Sequence, residues 1–138
     1  MPRVLIADDD PDILDLVRSI LERSGYEAVT SSGGRDAVSK AENDSFDLVI
    51  VDVVMPEGGG IEALVQLRAD RPNLKTMIIS GRIPVDIDPV QNLAEQLGAH
   101  CVLAKPFSPA ELLACVERTL AEHKPPGPGD IEIITESD

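Results

Sequence analysis

The sequence predicts an α/β fold in which a doubly wound parallel sheet is covered by helices on both faces, and three observations point to it. Five short apolar runs of strand character alternate with five stretches whose apolar residues recur at helical spacing. The strand runs are continuously apolar rather than alternating, as strands buried on both faces are. At 138 residues the chain is close to one average domain of roughly 150 residues, so a single core is expected. Right-handed crossovers then give a three-layer α/β/α sandwich.

Val4-Leu5-Ile6-Ala7 is the first strand run. After it Ile13, Leu14, Val17, Ile20 and Leu21 recur at helical spacing until Gly25. Asp10 is placed to cap that helix, and Pro11 sits where a missing N–H costs nothing. Glu27 to Ser31 reads as the second strand, and Arg35 to Asn43 as a helix with the thin stripe Ala37, Val38 and Ala41. Leu48-Val49-Ile50-Val51 is the clearest strand and ends at Asp52.

A loop from Val53 to Gly60 gives way to a helix carrying Ile61, Leu64 and Val65, ended by Arg71-Pro72. Met77-Ile78-Ile79 is the fourth strand. Asp88-Pro89 opens a helix with Val90, Leu93, Ala94 and Leu97, closed by Gly98. Cys101 to Ala104 is the fifth strand, and Ser108-Pro109-Ala110-Glu111 has the capping-box spacing for a last helix with Leu112, Leu113, Val116 and Leu120 on its apolar face.

The domain is expected to span residues 2–122. Residues 123–138 are expected to be a linker and tail, because Lys124-Pro125-Pro126-Gly127-Pro128-Gly129 cannot continue a helix. Beyond it Ile131, Ile133 and Ile134 stand among acids, and the expectation is a frayed tail, with a docked strand or helix as the alternative.

Composition excludes several function classes. With 43% apolar and 27% charged residues and a mean hydropathy of zero, neither a disordered chain nor a membrane protein is expected. A net charge of −13 repels phosphate backbones and anionic lipid, so direct nucleic-acid or membrane binding is not expected. No apolar run approaches the roughly 20 residues of a membrane span, Met1-Pro2-Arg3 leads into a strand run so that no signal peptide is expected, and a cytoplasmic location is expected. Cys101 and Cys115 match no metal motif and are expected to be buried reduced thiols, with a disulfide or reactive thiol as the alternative. With no Trp and only three other aromatics, there is no platform for stacking bases or sugars.

Ligands of an open parallel sheet bind beyond the carboxyl ends of its strands. There the sequence places Asp8-Asp9-Asp10 after the first strand, Asp52 after the third, Ser80-Gly81 after the fourth and Lys105-Pro106 after the fifth. Singly each has an ordinary structural explanation. Together they gather carboxylates around one crevice, where two unit charges about 4 Å apart repel by roughly 4 kcal/mol at an effective dielectric near 20. Hard oxygen ligands without His or Cys suit Mg²⁺ better than Zn²⁺, and Lys105 supplies a compact cation for a phosphoryl oxygen.

The segments Val4 to Asp10, Asp47 to Pro56, Ile78 to Gly81 and Leu103 to Phe107 resemble, in order, the motifs of response-regulator receiver domains, and the resemblance covers about residues 2 to 122. It implies the flavodoxin-like strand order 2-1-3-4-5 of the chemotaxis member of that family. It also implies a phosphorylation-dependent switch in two-component signalling. Asp52 would be the phosphoacceptor, taking its phosphoryl group from a histidine kinase or histidine phosphotransfer protein. Asp9 and Asp52 would ligate Mg²⁺ directly, Asp8 through water, and the backbone carbonyl of Val54 would complete the set. Lys105 and the Ser80 hydroxyl would hold phosphoryl oxygens. A homodimer through the helix that opens at Asp88 is a further implication.

This chain departs from the family pattern in places. Val102 stands three residues before Lys105, where many members carry a switching Tyr or Phe, so a conventional aromatic switch is not expected. Arg82 to Asp88, with Pro84 and then Pro89, is longer than usual. Val54 cannot orient an attacking water, so autodephosphorylation is expected to be slow, and no other enzymatic turnover is expected. A Mg²⁺-dependent phosphatase with an Asp nucleophile would carry a second Asp at the position of Val54. Flavin phosphate would need amide and hydroxyl donors where Asp8-Asp9-Asp10 stand. A receiver-like adaptor working without phosphorylation is the remaining rival.

Overall fold

The computed structural model describes residues 1–52, 59–81, 94, 98–122 and 131–134. Along the chain these form β1 (Arg3–Ala7), α1 (Pro11–Arg23), β2 (Glu27–Ser31), α2 (Gly34–Asn43), β3 (Leu48–Asp52), α3 (Gly59–Asp70), β4 (Lys75–Ser80), β5 (Ala99–Ala104), α4 (Pro109–Ala121) and β6 (Glu132–Ile134). The strands make one parallel sheet in the order β2-β1-β3-β4-β5-β6. The expected order of five strands is present, with a sixth added at the β5 edge.

Strand side chains alternate across the sheet and build two cores. Val4, Ile6, Leu48, Ile50, Met77 and Ile79 face α1 and α4, which contribute Leu14, Val17, Leu21, Leu112 and Val116. Leu5, Ala7, Val49, Val51 and Ile78 face α2 and α3, which contribute Ala37, Ala41, Leu64 and Leu67. Because both faces are covered, β3 is buried at every residue, and its sequence is correspondingly apolar up to Asp52.

The helix ends follow the local sequence. The Asp10 side chain caps α1 by accepting from the Asp12 N–H at 2.9 Å, with Pro11 in the first turn. Ser108 and Glu111 form a reciprocal capping box on α4. Gly25, just after α1, and Gly98, just before β5, have φ of 91° and 71°, a left-handed conformation open to glycine. On α3 the inward residues are Ala63, Leu64 and Leu67, while Val65 is 55% exposed; the helix is turned away from the face that Val65 would have marked. Of the helix expected from Asp88 to Leu97, only Ala94 is among the described residues, helical and buried.

Two expectations need correction. Cys101 and Cys115 are joined in a disulfide rather than being reduced thiols. Cys101 points from β5 to the face on which α4 lies, and Cys115 is on the inward side of α4, so packing brings the sulfurs together. Within 123–138, residues 132–134 form β6, pairing Cys101 with Glu132, Val102 with Ile133 and Leu103 with Ile134. Ile131 and Ile133 pack into the α2/α3 core and Ile134 into the α1/α4 core.

The connection to β6 is unlike the others. The sheet order reverses at β1, so α1 on one face and α2 and α3 on the other give crossovers of one hand. From β5 to β6 the chain steps in the same direction as from β3 to β4, yet α4 lies on the face opposite α3. α4 thus lies on the α1 side of the sheet, across from the helix that joins β3 to β4.

Candidate functional site

The strand order reverses between β1 and β3, and the crevice outside their carboxyl ends holds the acidic residues. Asp8 follows β1 directly and is fully buried. Its N–H donates to the Ser31 carbonyl at 3.1 Å, and its Oδ1 accepts from the Asp10 N–H at 2.9 Å, so the backbone fixes the carboxylate on both sides. Asp9 is exposed. Asp52 closes β3 and is 2% exposed. Carboxylate oxygens of Asp8, Asp9 and Asp52 all lie within 4.8 Å of one another.

Lys105 enters from the end of β5. Its backbone N–H donates to the Ser80 carbonyl at 2.8 Å, which ties it to the end of β4. The Lys105–Pro106 peptide bond is cis. The Lys105 ammonium donates to Oδ2 of Asp52 at 2.8 Å and stands 2.7 Å from Oδ2 of Asp8. The same ammonium thus closes on a buried oxygen of each carboxylate, one cation between two negative charges. Burial pulls the Lys105 pKa down, but the hydrogen bonds and negative charges of Asp52 and Asp8 outweigh it and hold the pKa above its ordinary value.

Ser80 ends β4 nearly buried, opposite Ala104 of β5, and its neighbour Ile79 pairs with Asp52. The structure thus brings together Asp8, Asp9, Asp52 and Lys105 in direct contact range, with Ser80 at the adjoining strand end. Asp10 serves as a helix cap. Val54 lies outside the described residues.

The donor set is three carboxylates, hard oxygen ligands that suit Mg²⁺, and two of them are buried with one ammonium between them to offset their charge. Three carboxylates, one divalent cation and one ammonium sum to zero charge. The residues present fit that metal.

Comparison with known proteins gives the family. The model of the response regulator receiver domain family matches residues 4–117. This chain belongs to that family. The receiver domain is 37% identical over 118 residues to the alkaline phosphatase synthesis transcriptional regulatory protein PhoP of Bacillus subtilis, covering 86% of this chain and 48% of that protein. It spans about half the length of the curated relatives it matches. Among solved structures it resembles the chemotaxis protein CheY4 of Vibrio cholerae, with a TM-score of 0.80 and 30% identity over 86% of this chain and 98% of that one. It also resembles the response regulator protein TrrA of Thermotoga maritima, crystallised in complex with Mg²⁺ and BeF, with a TM-score of 0.74 and 28% identity over 86% and 99% of the two chains.

The match ends before β6, so this strand lies beyond the part of the receiver domain that the family model covers. Val102 is fully buried among the α2/α3 core residues, with Ile133 opposite it. An aliphatic residue enclosed in this way has no polar group to present at the surface. Sequence reasoning missed the Asp10 N–H as the group that orients Asp8, and no side-chain signal marks a backbone donor.

Proposed function

We propose that Asp52 is the phosphoacceptor of this receiver domain and that Asp8, Asp9 and Asp52 hold a Mg²⁺ ion, with the Val54 carbonyl completing the protein ligands. The observation that carries the reading is Lys105, whose ammonium is shared by Asp52 and Asp8 at the edge of the three-carboxylate cluster. Bound there, Mg²⁺ would supply charge neutralisation for incoming phosphoryl oxygens.

A carboxylate oxygen of Asp52 attacks the phosphorus of a phosphohistidine on a histidine kinase or phosphotransfer protein. The O–P bond forms as the N–P bond breaks, and the imidazole leaves with the electron pair and takes up a proton. Such a transfer needs positioning and charge stabilisation more than covalent help. β3 fixes Asp52, and Asp8 and Lys105 are fixed by backbone hydrogen bonds to Asp10 and Ser80. The Lys105 ammonium then holds a phosphoryl oxygen and the Ser80 hydroxyl donates to another. The product carries about −2 where Asp52 carried −1, and Ser80 drawn inward is the response that signals the change.

A histidine kinase as phosphoryl donor would act on this domain in the cytoplasm; among the described residues no helix is long and apolar enough to cross a membrane. The aspartyl phosphate should be long-lived, because Val54 presents no side-chain acceptor to an attacking water. Val54→Asn should shorten its lifetime, and Val54→Ala should not. A homodimer would form through the helix expected from Asp88, of which only Ala94 is among the described residues.

Acetyl phosphate with Mg²⁺ should add one phosphoryl group to the wild-type chain and none to Asp52→Asn, read by intact mass. Beryllofluoride should shift the amide spectrum of the wild type alone. Equal modification of Asp52→Asn would overturn the assignment.

A further inference from the structure

Without residues 131–134, β5 would be the last strand of the sheet. Its sequence, Ala99-His100-Cys101-Val102-Leu103-Ala104, contains no Lys, Pro or acidic residue, the usual guards of an open edge against pairing with other chains. In the structure every residue of β5 is buried, and β6 lies along its outer edge.

The edge offers a specific fit. Ile131 and Ile133 enter one core layer and Ile134 the other, so apolar sockets flank the edge on both faces of the sheet. At the rim, Nε of Arg118 on α4 stands 3.4 Å from Oε2 of Glu132. The acceptor is also built without β6. β5 is paired along its other edge with β4, and the Cys101–Cys115 disulfide fastens it to α4, which carries Arg118.

The hold on β6 is slight by comparison. Three residues are paired, and Ile133 and Ile134 are only half-buried. The residues that precede it in sequence, Pro125-Pro126-Gly127-Pro128-Gly129, are rich in Pro and Gly, a composition that carries no apolar residue to anchor the segment.

We infer that the outer edge of β5 is a strand-accepting site whose resident ligand is the chain's own segment 131–134, held reversibly. The site takes an extended segment that places branched aliphatic side chains on both faces of the sheet and turns a carboxylate toward Arg118. Main-chain pairing gives the affinity, and the two sockets and the cation give the specificity.

The test uses the full-length chain carrying Ile133→Asp and Ile134→Asp together, and a fluorescent peptide of residues 129–138 as probe. The double variant should keep its circular dichroism spectrum and bind the peptide one to one. The wild-type chain, with its site filled, should bind at least about tenfold more weakly. A peptide carrying Ile133→Asp should not bind the variant. Amides of Cys101 to Leu103 should exchange hydrogen at least about tenfold faster in the variant than in the wild type.

A folded double variant that ignores the peptide would overturn the inference, as would wild-type binding of equal strength. Unfolding of the variant would make β6 an integral part of the fold and would also overturn it. A wild-type dimer in sedimentation, with tails exchanged between copies, would show the site filled by a second chain and overturn occupation by its own.

Discussion

Nζ of Lys105 lies 2.8 Å from Oδ2 of Asp52, and the same ammonium lies 2.7 Å from Oδ2 of Asp8, so one cation is shared by carboxylates from two strands. The ammonium and a metal ion draw on the same oxygens and repel each other. Lys105→Met should therefore raise Mg²⁺ affinity, by roughly three- to tenfold for a partly solvent-screened pair of cations. The same variant should slow phosphorylation by acetyl phosphate by about tenfold or more, because a fixed charge on the phosphoryl oxygens is lost. Mg²⁺ titration by amide NMR and phosphorylation rates by intact mass check the two effects. Unchanged Mg²⁺ affinity would show that the ammonium and the metal do not share ligands.

The raised pKa of Lys105 sets a direction for stability against pH. Burial lowers the pKa, but Asp52 and Asp8 more than compensate, so the folded protein binds this proton more tightly than the unfolded chain does. The resulting stability is fully present below the ordinary lysine value of 10.5 and is lost as pH rises through the folded pKa. At neutrality the contribution is intact. Urea midpoints followed into the alkaline range should fall more steeply for the wild type than for Lys105→Met once pH exceeds about 10.5. Parallel curves would remove Lys105 from the account.

Much of this fold was legible because both faces of the sheet are covered. Leu48 to Val51 must be apolar at every position, and Asp52 marks where cover ends and the crevice begins. The Asp10 and Ser108 caps were equally visible, since they act within one turn of sequence. The rest depended on long-range packing. That Cys101 meets Cys115 follows only once α4 is known to lie on the face that Cys101 shares with Leu103. α3 is turned so that Ala63, rather than the larger Val65, faces inward among the residues of α2 and the sheet. The isoleucines at 131, 133 and 134 could be read as a strand, but nothing local tells where the edge that accepts them lies. At the site, strand-end positions gave Asp8, Asp52, Ser80 and Lys105, whereas the amide of Asp10 that orients Asp8 leaves no trace in side-chain identity.

Closing a loop between positions 14 residues apart, the Cys101–Cys115 disulfide restricts the unfolded chain. A loop of this size corresponds to about 3 kcal/mol by chain entropy alone. Both cysteines are fully buried, so reductant should act only as the α4 layer opens. Thermal melts with and without a strong dithiol should differ by several degrees, and Cys115→Ser should melt with the reduced form. Free-thiol titration of the unreduced protein, even after denaturation, should find none. Coincident melts would mean that the bond contributes nothing.

Gly98 has φ of 71°, and a Cβ there would come 1.6 Å from the Arg68 guanidinium. The guanidinium is the end of a flexible side chain and can move, so the backbone conformation is the main cost. Gly98→Ala should destabilise by about 1 kcal/mol, and Gly98→Asn by less, since Asn tolerates this conformation better. Urea denaturation of both variants checks the order, and equal losses would shift the explanation to the Arg68 contact.

Asp8 offers the sharpest contrast with Lys105. Asp8→Asn keeps an oxygen to accept from the Asp10 N–H but removes a buried charge from the cluster of Asp8, Asp9 and Asp52. Mg²⁺ affinity should fall by about tenfold or more, opposite in sign to the effect of Lys105→Met. Because the two side chains touch at 2.7 Å, their effects should not add. In the Asp8→Asn background the ammonium bears on Asp52 alone, so Lys105→Met should raise Mg²⁺ affinity by a larger factor there than in the wild type. Calorimetric Mg²⁺ titration of the four proteins in the cycle measures that coupling, and strict additivity would show that metal and ammonium occupy separate parts of the crevice.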